Sequence, residues 1–162
     1  MEIQISGSMA QDIRLPGLLA YGLRLGELLD RHLSRALRAR NIALSRSQTE
    51  VIILLYRKGA LDMGALSREL QKDPGTMTSV VAGLVDRKLC LKRSGKDDRR
   101  TNYLELTAEG RNQAKRCLVL YRKLEKKLQK IAPDSIEPLA AILGALVSAG
   151  LAPYPARKDH GN

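Results

Sequence analysis

Residues 62–86 read Asp62-Met-Gly-Ala-Leu-Ser-Arg-Glu-Leu-Gln-Lys-Asp-Pro-Gly-Thr-Met-Thr-Ser-Val-Val-Ala-Gly-Leu-Val-Asp86. Asp73 followed by Pro74 is a strong helix-start signal, because the carboxylate accepts from the free amides of the first turn and proline loses no hydrogen bond there. The apolar residues that follow recur at helical spacing: Met77, Val80, Val81, Leu84 and Val85. The opposite face is small or hydroxylated: Thr76, Thr78, Ser79 and Ala82. Such a helix can approach another surface closely, and the DNA major groove admits a helix of this kind.

A shorter helix is expected immediately before this one. Asp62 is placed to cap it, and Leu66 and Leu70 supply its buried side. Its exposed side presents Ser67 and Arg68 as candidates for contact with phosphate. The two helices and the turn between them are typical of a helix-turn-helix, in which the second helix is the recognition helix.

A charged hairpin follows the two helices. Residues 89–93 and 102–106 read as short strands, and the loop between them contains Lys96-Asp-Asp-Arg-Arg100. Adjacent arginines at a hairpin tip suit insertion into the narrow, strongly negative minor groove. The alternative is that the arginines are ordinary solvated charges, and this interpretation is preferred when the loop is considered alone. After a helix-turn-helix, the hairpin instead predicts a winged helix, to which residues 60–61 could add a short third strand.

The ends of two further helices can be located from their capping residues. Ser45 followed by Gln48 is a capping box, and Gly59 is placed to end the helix that Ser45 begins. After the hairpin, Thr107 is placed to cap a long helix with Gly110 in its first turn. That helix repeats apolar residues at alternating spacings of three and four, which indicates a seam between helices: Ala114, Cys117, Tyr121, Leu124, Leu128 and Ile131. Its outer face is basic, and a solvated surface is the favoured interpretation: Lys115, Arg116, Arg122, Lys123, Lys126, Lys127 and Lys130.

Three of these motifs together resemble the MarR family of bacterial transcriptional regulators. They are Leu44-Ser-Arg-Ser-Gln48 opening a helix, Asp73-Pro-Gly-Thr-Met-Thr78 at the recognition helix, and Asp98-Arg99-Arg100 followed by Leu106-Thr107-x-x-Gly110. The likeness covers roughly residues 12–148. It implies a homodimeric winged-helix protein that binds a palindromic operator, usually as a repressor released by a small molecule or by oxidation. It also implies that Arg100 is the partner of Asp98, which leaves Arg99 freer to enter the minor groove.

The chain departs from that family at four positions. The family commonly has glycine at the positions of Gln71 and Lys88 and an apolar residue at that of Lys72. It often has a long polar or basic side chain where this chain has Ser79. These departures concern the operator sequence and the strength of base readout rather than the fold.

The terminal helices carry more apolar residues than one subunit can cover. A helix is expected over residues 12–40, with a broad leucine-rich face, and another over residues 134–149. The sequence therefore predicts a mainly α fold with a small β-wing. Residues 42–107 would form the winged helix-turn-helix region, and residues 12–41 with 108–150 a helical dimerisation region. Residues 1–11 and 151–162 would be loose termini.

Composition narrows the classes of partner. The chain has 162 residues, a net charge of +11 and a pI near 10.0, which favours nucleic acid first and an anionic membrane surface second. It contains no Phe or Trp and five Tyr, which argues against RNA-binding folds that stack bases on exposed aromatic rings. The absence of a long apolar run and of a signal pattern predicts a cytoplasmic protein without membrane association.

Cofactor and enzyme chemistry find little support in the sequence. The two cysteines, Cys90 and Cys117, lie in different predicted elements, and the two histidines, His32 and His160, lie far apart. No metal-ligand spacing and no set of acid, base and nucleophile results, so neither a cofactor nor an enzyme is expected. Cys90 is interpreted as a small buried hydrophobe. For Cys117, a redox switch on the helical seam is a minor alternative to the same interpretation.

The leading hypothesis is a sequence-specific regulator that binds double-stranded DNA as a homodimer. Base edges and nearby phosphates would face Thr76, Thr78 and Ser79, Gly75 would permit close backbone approach, and Arg68 and Lys96 would add cations. The alternative is a dimeric winged-helix module that binds protein, supported only by the short side chain of Ser79. The resemblance further implies a small aromatic or anionic effector. Polar-tipped residues that could line its pocket are His32, Tyr56 and Tyr121, although core positions are the favoured interpretation of each.

Overall fold

The computed structural model describes residues 18–94 and 102–149, with side chains from residue 20 onward. The chain divides between Asn41 and Ile42 into two compact units. The first unit contains helix α1, Leu18–Arg38. Several large apolar side chains of α1 are 38–57% exposed: Tyr21, Leu23, Leu25, Leu28 and Leu29. The predicted broad apolar face is therefore present on α1, and no described residue of the same unit covers these five side chains.

The second unit begins with two capped helices and a short strand between them. Helix α2, Arg46–Lys58, starts at the predicted capping box, in which Gln48 N donates to Ser45 Oγ at 3.2 Å and Ser45 N donates to Gln48 Oε1 at 3.1 Å. It ends at Gly59, whose φ of 83° favours glycine. Strand β1, Leu61–Asp62, and helix α3, Met63–Leu70, follow, and Asp62 Oδ1 accepts from Ala65 N at 2.8 Å as predicted.

The recognition helix and the hairpin follow. Helix α4, Pro74–Asp86, buries Met77, Val81 and Leu84 and half-buries Val80 and Val85, which confirms the predicted apolar stripe. Strands β2, Cys90–Ser94, and β3, Asn102–Leu106, pair antiparallel. Strand β1 adds to the other edge of β3, so the sheet order is β1-β3-β2 and the predicted third strand is confirmed.

Two helices complete the second unit. Helix α5, Ala108–Ile131, is capped by Thr107, whose Oγ1 accepts from Gly110 N at 3.0 Å. A Cβ at Gly110 would collide with the carbonyl oxygen of Leu89, so glycine lets α5 begin directly against the chain that enters β2. After a 3-10 turn, Pro133–Ser135, comes helix α6, Ile136–Ser148. The last helix was predicted to begin at Asp134, and the 3-10 turn shifts its start by two residues.

The core of the second unit lies where α2, α4, α5 and the sheet meet. Its fully or nearly buried side chains are Val51, Ile52, Leu55, Leu66, Met77, Val81, Leu84, Leu104, Leu106, Ala114, Cys117 and Leu120. Burying each of the larger ones contributes about 1.5–3 kcal/mol relative to exposure. The first half of the predicted α5 seam belongs to this core, whereas Leu128 and Ile131 at its end are 45% and 69% exposed. These facts confirm the predicted mainly α fold with a small β-wing.

The helices differ from membrane spans in length and composition. Within the described ranges 18–94 and 102–149, no single helix is long and apolar enough to cross a bilayer. Helix α5 taken together with Pro133–Ser148 satisfies the same criteria only as a pair bent by 103°.

Candidate nucleic-acid interface

The N-terminal end of α4 presents the small, hydroxylated face that the sequence predicts. Asp73 Oδ2 accepts from Thr76 N at 2.7 Å, so the carboxylate satisfies one free amide of the first turn. Gly75, Thr76, Thr78 and Ser79 are all exposed, while Met77 between them is fully buried. Every residue of this helix proposed to contact DNA therefore lies on its outer side.

The hydroxyl groups on this face are turned toward their own helix. Thr78 Oγ1 donates to the Pro74 carbonyl at 2.9 Å, and Ser79 Oγ donates to the Gly75 carbonyl at 3.5 Å. A hydroxyl that donates to the backbone keeps its lone pairs free as acceptors. In this conformation both oxygens can accept from an exocyclic amino group of adenine or cytosine at a base edge.

Helix α3 contributes one of the two residues predicted for its exposed side. Arg68 is exposed and takes part in no ion pair with any described carboxylate, so its guanidinium is available for phosphate. The prediction that Ser67 is exposed is wrong, because Ser67 is 6% exposed and its hydroxyl has no hydrogen-bond partner within the described part of the chain. The reason is that α3 is only eight residues long and packs against α2, α4 and the sheet, so adjacent residues Leu66 and Ser67 both face neighbours.

The tip of the wing lies outside the described residues. This applies to Lys96, Asp98, Arg99 and Arg100, whose proposed roles remain predictions. The described base of the wing carries an ion pair across the hairpin, between Arg93 Nε and Glu105 Oε1 at 2.7 Å. Both strands stay paired in register to this point, with Ser94 opposite Asn102.

Two departures from the family pattern coincide with left-handed backbone. Gln71 ends α3 with a φ of 49°, and Lys88, after α4, has a φ of 57°. Glycine adopts this conformation without the steric penalty that a Cβ brings. Both positions are those at which the resembled family commonly has glycine, so the backbone geometry gives the physical reason for that preference.

The third departure, Lys72, lies in a polar cluster that the sequence did not predict. Its ammonium group donates to Ser47 Oγ at 2.9 Å and pairs with Glu50 Oε2 at 2.7 Å. Glu50 also receives Arg46 Nε at 3.0 Å. The Lys72 side chain is only 18% exposed, and a cation this far from solvent needs polar partners. Ser47 and Glu50 provide them at a position where the resembled family commonly has an apolar residue. The departure itself was the only sequence signal for this cluster.

The three residues named as lining an effector pocket belong to different units, with His32 in the first and Tyr56 and Tyr121 in the second. Tyr56 lines a cavity of about 300 Å³ with Leu55, Gly59, Ala60, Glu105, Leu106 and Arg111. His32 lines a shallow groove of about 280 Å³ formed by α1 residues alone. Tyr121 is half-buried on α5 and lines neither of these.

The preferred core interpretation of these residues is wrong for His32 and Tyr56, which are both exposed. Tyr56 comes at the end of α2, where the helix has passed the core and the chain turns to β1. His32 faces outward from α1, the sole described helix of its unit.

Both cysteines are buried, and burial disfavours the reactive thiolate form of each. Burial raises the pKa of Cys90 to about 12. Burial likewise raises the pKa of Cys117 to about 11, although neighbouring Arg116 and a hydrogen bond with Thr49 act in the opposite direction. The interpretation of Cys90 as a buried hydrophobe is confirmed. The thiolate, which is the reactive form, is scarce at both sites at neutral pH.

A model of the MarR family matches residues 44–101 of the chain, which confirms the resemblance. This segment contains α2, β1, α3, α4, β2 and the loop of the wing. No curated protein sequence matches the chain significantly.

Solved structures extend the likeness in fold beyond the matched segment. The transcriptional repressor CouR bound to a 23-mer DNA duplex is similar with a TM-score of 0.69 and 20% identity, over 91% of this chain and 99% of that one. A probable transcriptional regulator from Pseudomonas aeruginosa gives a TM-score of 0.64 and 24% identity, over 84% and 99%. Wild-type MarR from E. coli gives 0.64 and 19%, over 82% and 98%.

Proposed function

We propose, from the match of residues 44–101 to a model of the MarR family, that the protein is a winged-helix transcriptional regulator that binds double-stranded DNA sequence-specifically. One observation carries the proposal. Helix α4 buries its apolar stripe and presents an outer face of short side chains at its capped N-terminal end. A helix end of this kind can enter the major groove to the depth at which base edges are within reach.

Recognition of DNA would be shared between the helix-turn-helix and the wing. Thr76, Thr78 and Ser79 would meet base edges and adjacent phosphates, with Gly75 allowing close approach of the backbone. Arg68 and Lys96 would neutralise phosphates, and Arg99 would enter the minor groove while Asp98 holds Arg100. The net charge of +11 supports this partner, because displaced counterions drive binding of cationic proteins to DNA.

The regulator would act as a homodimer on a palindromic operator. The exposed apolar side chains of α1 and α6 support an interface built from residues 12–33 and 134–149. Two recognition helices related by a two-fold axis would enter successive major grooves, so half-sites would lie about one helical turn apart. A repressor in the cytoplasm, released by a small aromatic or anionic effector, is the mode of action that we infer from the family.

The test compares the two DNA-binding elements by substitution. An operator is first recovered by capturing fragments of the source genome with purified protein. A labelled operator and a scrambled duplex are then titrated at several salt concentrations. Arg99→Ala and Arg100→Ala should weaken binding to both duplexes and reduce the slope of log affinity against log salt by about two, since each cation occurs twice per dimer.

The alanine variants of Thr76, Thr78 and Ser79 should behave differently, because these residues carry no charge. Each should leave the salt slope intact and reduce discrimination between the two duplexes by roughly 1–3 kcal/mol for each hydrogen bond to a base that the substitution removes. If wild type binds both duplexes equally, sequence-specific recognition is refuted. If duplex binding is absent at low salt, the winged helix serves a protein partner instead, which is the second candidate function.

A further inference from the structure

Helix α4 is held along its length by one short segment of the same unit, residues 43–50, here named the α2 platform. At the start of α4, Lys72 reaches back across the turn. Its ammonium group contacts Ser47 Oγ at 2.9 Å and Glu50 Oε2 at 2.7 Å, and both partners belong to the platform. The residue directly before the helix cap at Asp73 is thereby tied to α2.

In its last turn, at Gly83, α4 lies close against the Gln48 side chain of the platform. A Cβ added at Gly83 would lie 2.8 Å from Gln48 Nε2, so the glutamine side chain fills the space that glycine leaves open. The same side chain accepts from Ser45 N at 3.1 Å and so closes the capping box of α2. The contact at Gly83 and the start of α2 therefore share one side chain.

The far end of α4 is tied to the beginning of the platform. Arg87, the residue that ends the helix, donates from its guanidinium to the carbonyl oxygen of Ala43. Two of the contacts, at Lys72 and Arg87, flank a 13-residue helix that is about 20 Å long, and the third, at Gly83, lies in its last turn. Contacts so spaced restrain translation and tilt as well as rotation about the helix axis.

We propose that the α2 platform sets the angle at which α4 meets DNA, and that Lys72, Gln48 and Arg87 are positioning residues that act through α4. The proposal rests on the proposed function, since it assigns these residues to base readout by α4. Recognition requires side chains to be held within about 0.5 Å and 10–20° of the productive geometry. Lys72 is unsuited to direct phosphate contact, because its ammonium group already has two partners and its side chain is 18% exposed.

The decisive experiment is a charge swap between Lys72 and Glu50. Lys72→Glu should place two carboxylates next to each other, where they repel. Discrimination between operator and scrambled duplex should then fall at least about 5-fold, which equals the loss of one hydrogen-bonded contact between a side chain and a base. The double variant Lys72→Glu with Glu50→Lys should recover discrimination in part, because it re-forms the pair with reversed charge while Arg46 loses Glu50 as its partner. If Lys72 instead touched DNA, the swap would not restore it, and Lys72→Glu would also change the salt slope by at least about two.

The chain offers a matched control for this swap. Lys58 and Glu69 form an ion pair at 2.5 Å that also starts from α2 but ends on α3, with both side chains 41–49% exposed. Lys58→Glu changes the charge equally and does not touch α4, so its discrimination should equal that of wild type. All variants are compared well below their melting temperatures, measured by circular dichroism, so that a loss of folded protein does not enter the ratio.

A second arm uses size in place of charge. Gly83→Leu should displace Gln48 and reduce discrimination, and Gln48→Ala, which removes the same side chain without adding bulk, should also reduce it. Unchanged discrimination in Lys72→Glu and in Gly83→Leu overturns the inference while leaving the proposed function standing. A wild-type protein that does not discriminate between the duplexes overturns both, so the two failures are distinguishable.

Discussion

Helices α4 and α6 are each 13 residues long and rich in apolar residues, yet they differ in how far the rest of the chain buries them. Helix α4 buries Met77, Val81 and Leu84, whereas no residue of α6 is buried. The apolar side chains of α6 are 36–56% exposed: Ile136, Leu139, Ile142, Leu143, Leu146 and Val147. The chain therefore completes the surroundings of α4 and leaves α6 with an apolar surface of the kind that marks an interaction site.

Helix α5 shows the same contrast within a single element. Its first half, through Leu120, is packed against α2 and carries the buried residues Ala114 and Cys117. Beyond Leu124 its side chains are exposed until the helix ends at Ile131. The change from buried to exposed along one continuous helix indicates where the self-contained core ends.

The largest expected effect is on subunit association, through the exposed apolar residues of α6. Leu143→Lys should convert the proposed homodimer into monomers, because a charge would enter the apolar interface twice and each substituted leucine forfeits roughly 1.5–3 kcal/mol of burial. Light scattering at low micromolar concentration measures the mass. Val119→Lys is the control, since Val119 is 52% exposed on the basic face of α5 and should tolerate the charge. A wild-type monomer with intact helical signal would contradict the proposed interface.

Substitutions on the buried face of α4 should lower the stability of the single subunit. Leu84→Ala removes a fully buried side chain from under α4 and should lower the free energy of unfolding by about 2–5 kcal/mol. Urea denaturation of the monomeric Leu143→Lys background isolates this loss from dimer dissociation. In that background Leu139→Ala on α6 should cost less than about 1 kcal/mol. Equal losses for the two substitutions would remove the distinction between the helices.

A smaller effect is expected at the turn that leads into α4. Gln71→Gly should stabilise the fold by about 0.5–1 kcal/mol, because glycine relieves the left-handed strain at φ 49° at some cost in chain entropy. Gln71→Ala keeps the Cβ and should leave stability nearly unchanged. Urea denaturation of both variants decides between these outcomes, and destabilisation by glycine would show that the Gln71 side chain itself contributes to the turn.

The smallest expected effect concerns the buried half of α5. Because burial raises the pKa of Cys117 to about 11, its thiol should react with a disulfide reagent at neutral pH only on unfolding. Peroxide should therefore leave operator binding unchanged, in Cys117→Ser as in wild type. Rapid labelling of Cys117 in the folded protein would show that the core opens there and would restore oxidative sensing as a hypothesis.

The same pKa shifts make a prediction for alkaline pH. The folded pKa values of Cys90 and Cys117 lie above the ordinary thiol value of 9.0, so above pH 9 the unfolded chain loses protons that the folded chain retains. The free energy of unfolding should therefore fall from about pH 9 to about pH 11 through Cys117 and on to about pH 12 through Cys90, and it should be unaffected by these groups well below pH 9. A flatter fall for Cys117→Ser measures the contribution of that site.

Features that depend on residues close together in the chain can be predicted from the sequence. Helix starts at Ser45, Asp62, Asp73 and Thr107 follow from hydrogen bonds that span three residues, and the α4 stripe follows from helical period. The order of two helices, strand, connection and strand then predicted the winged helix. These features depend on residues a few positions apart and not on what packs against each element, which is why the sequence predicts them.

Tertiary structure alone decided which side chains meet across the fold. Lys72 contacts Ser47 from 25 residues away, and Arg87 contacts Ala43 from 44 residues away. Ser67 is buried and Tyr56 is exposed, although the sequence favoured the reverse. Such outcomes depend on helix crossing angles and on the few ångströms between packed elements, which hydrophobic period and capping residues do not encode. The positioning of the recognition helix is therefore a property of the packed unit.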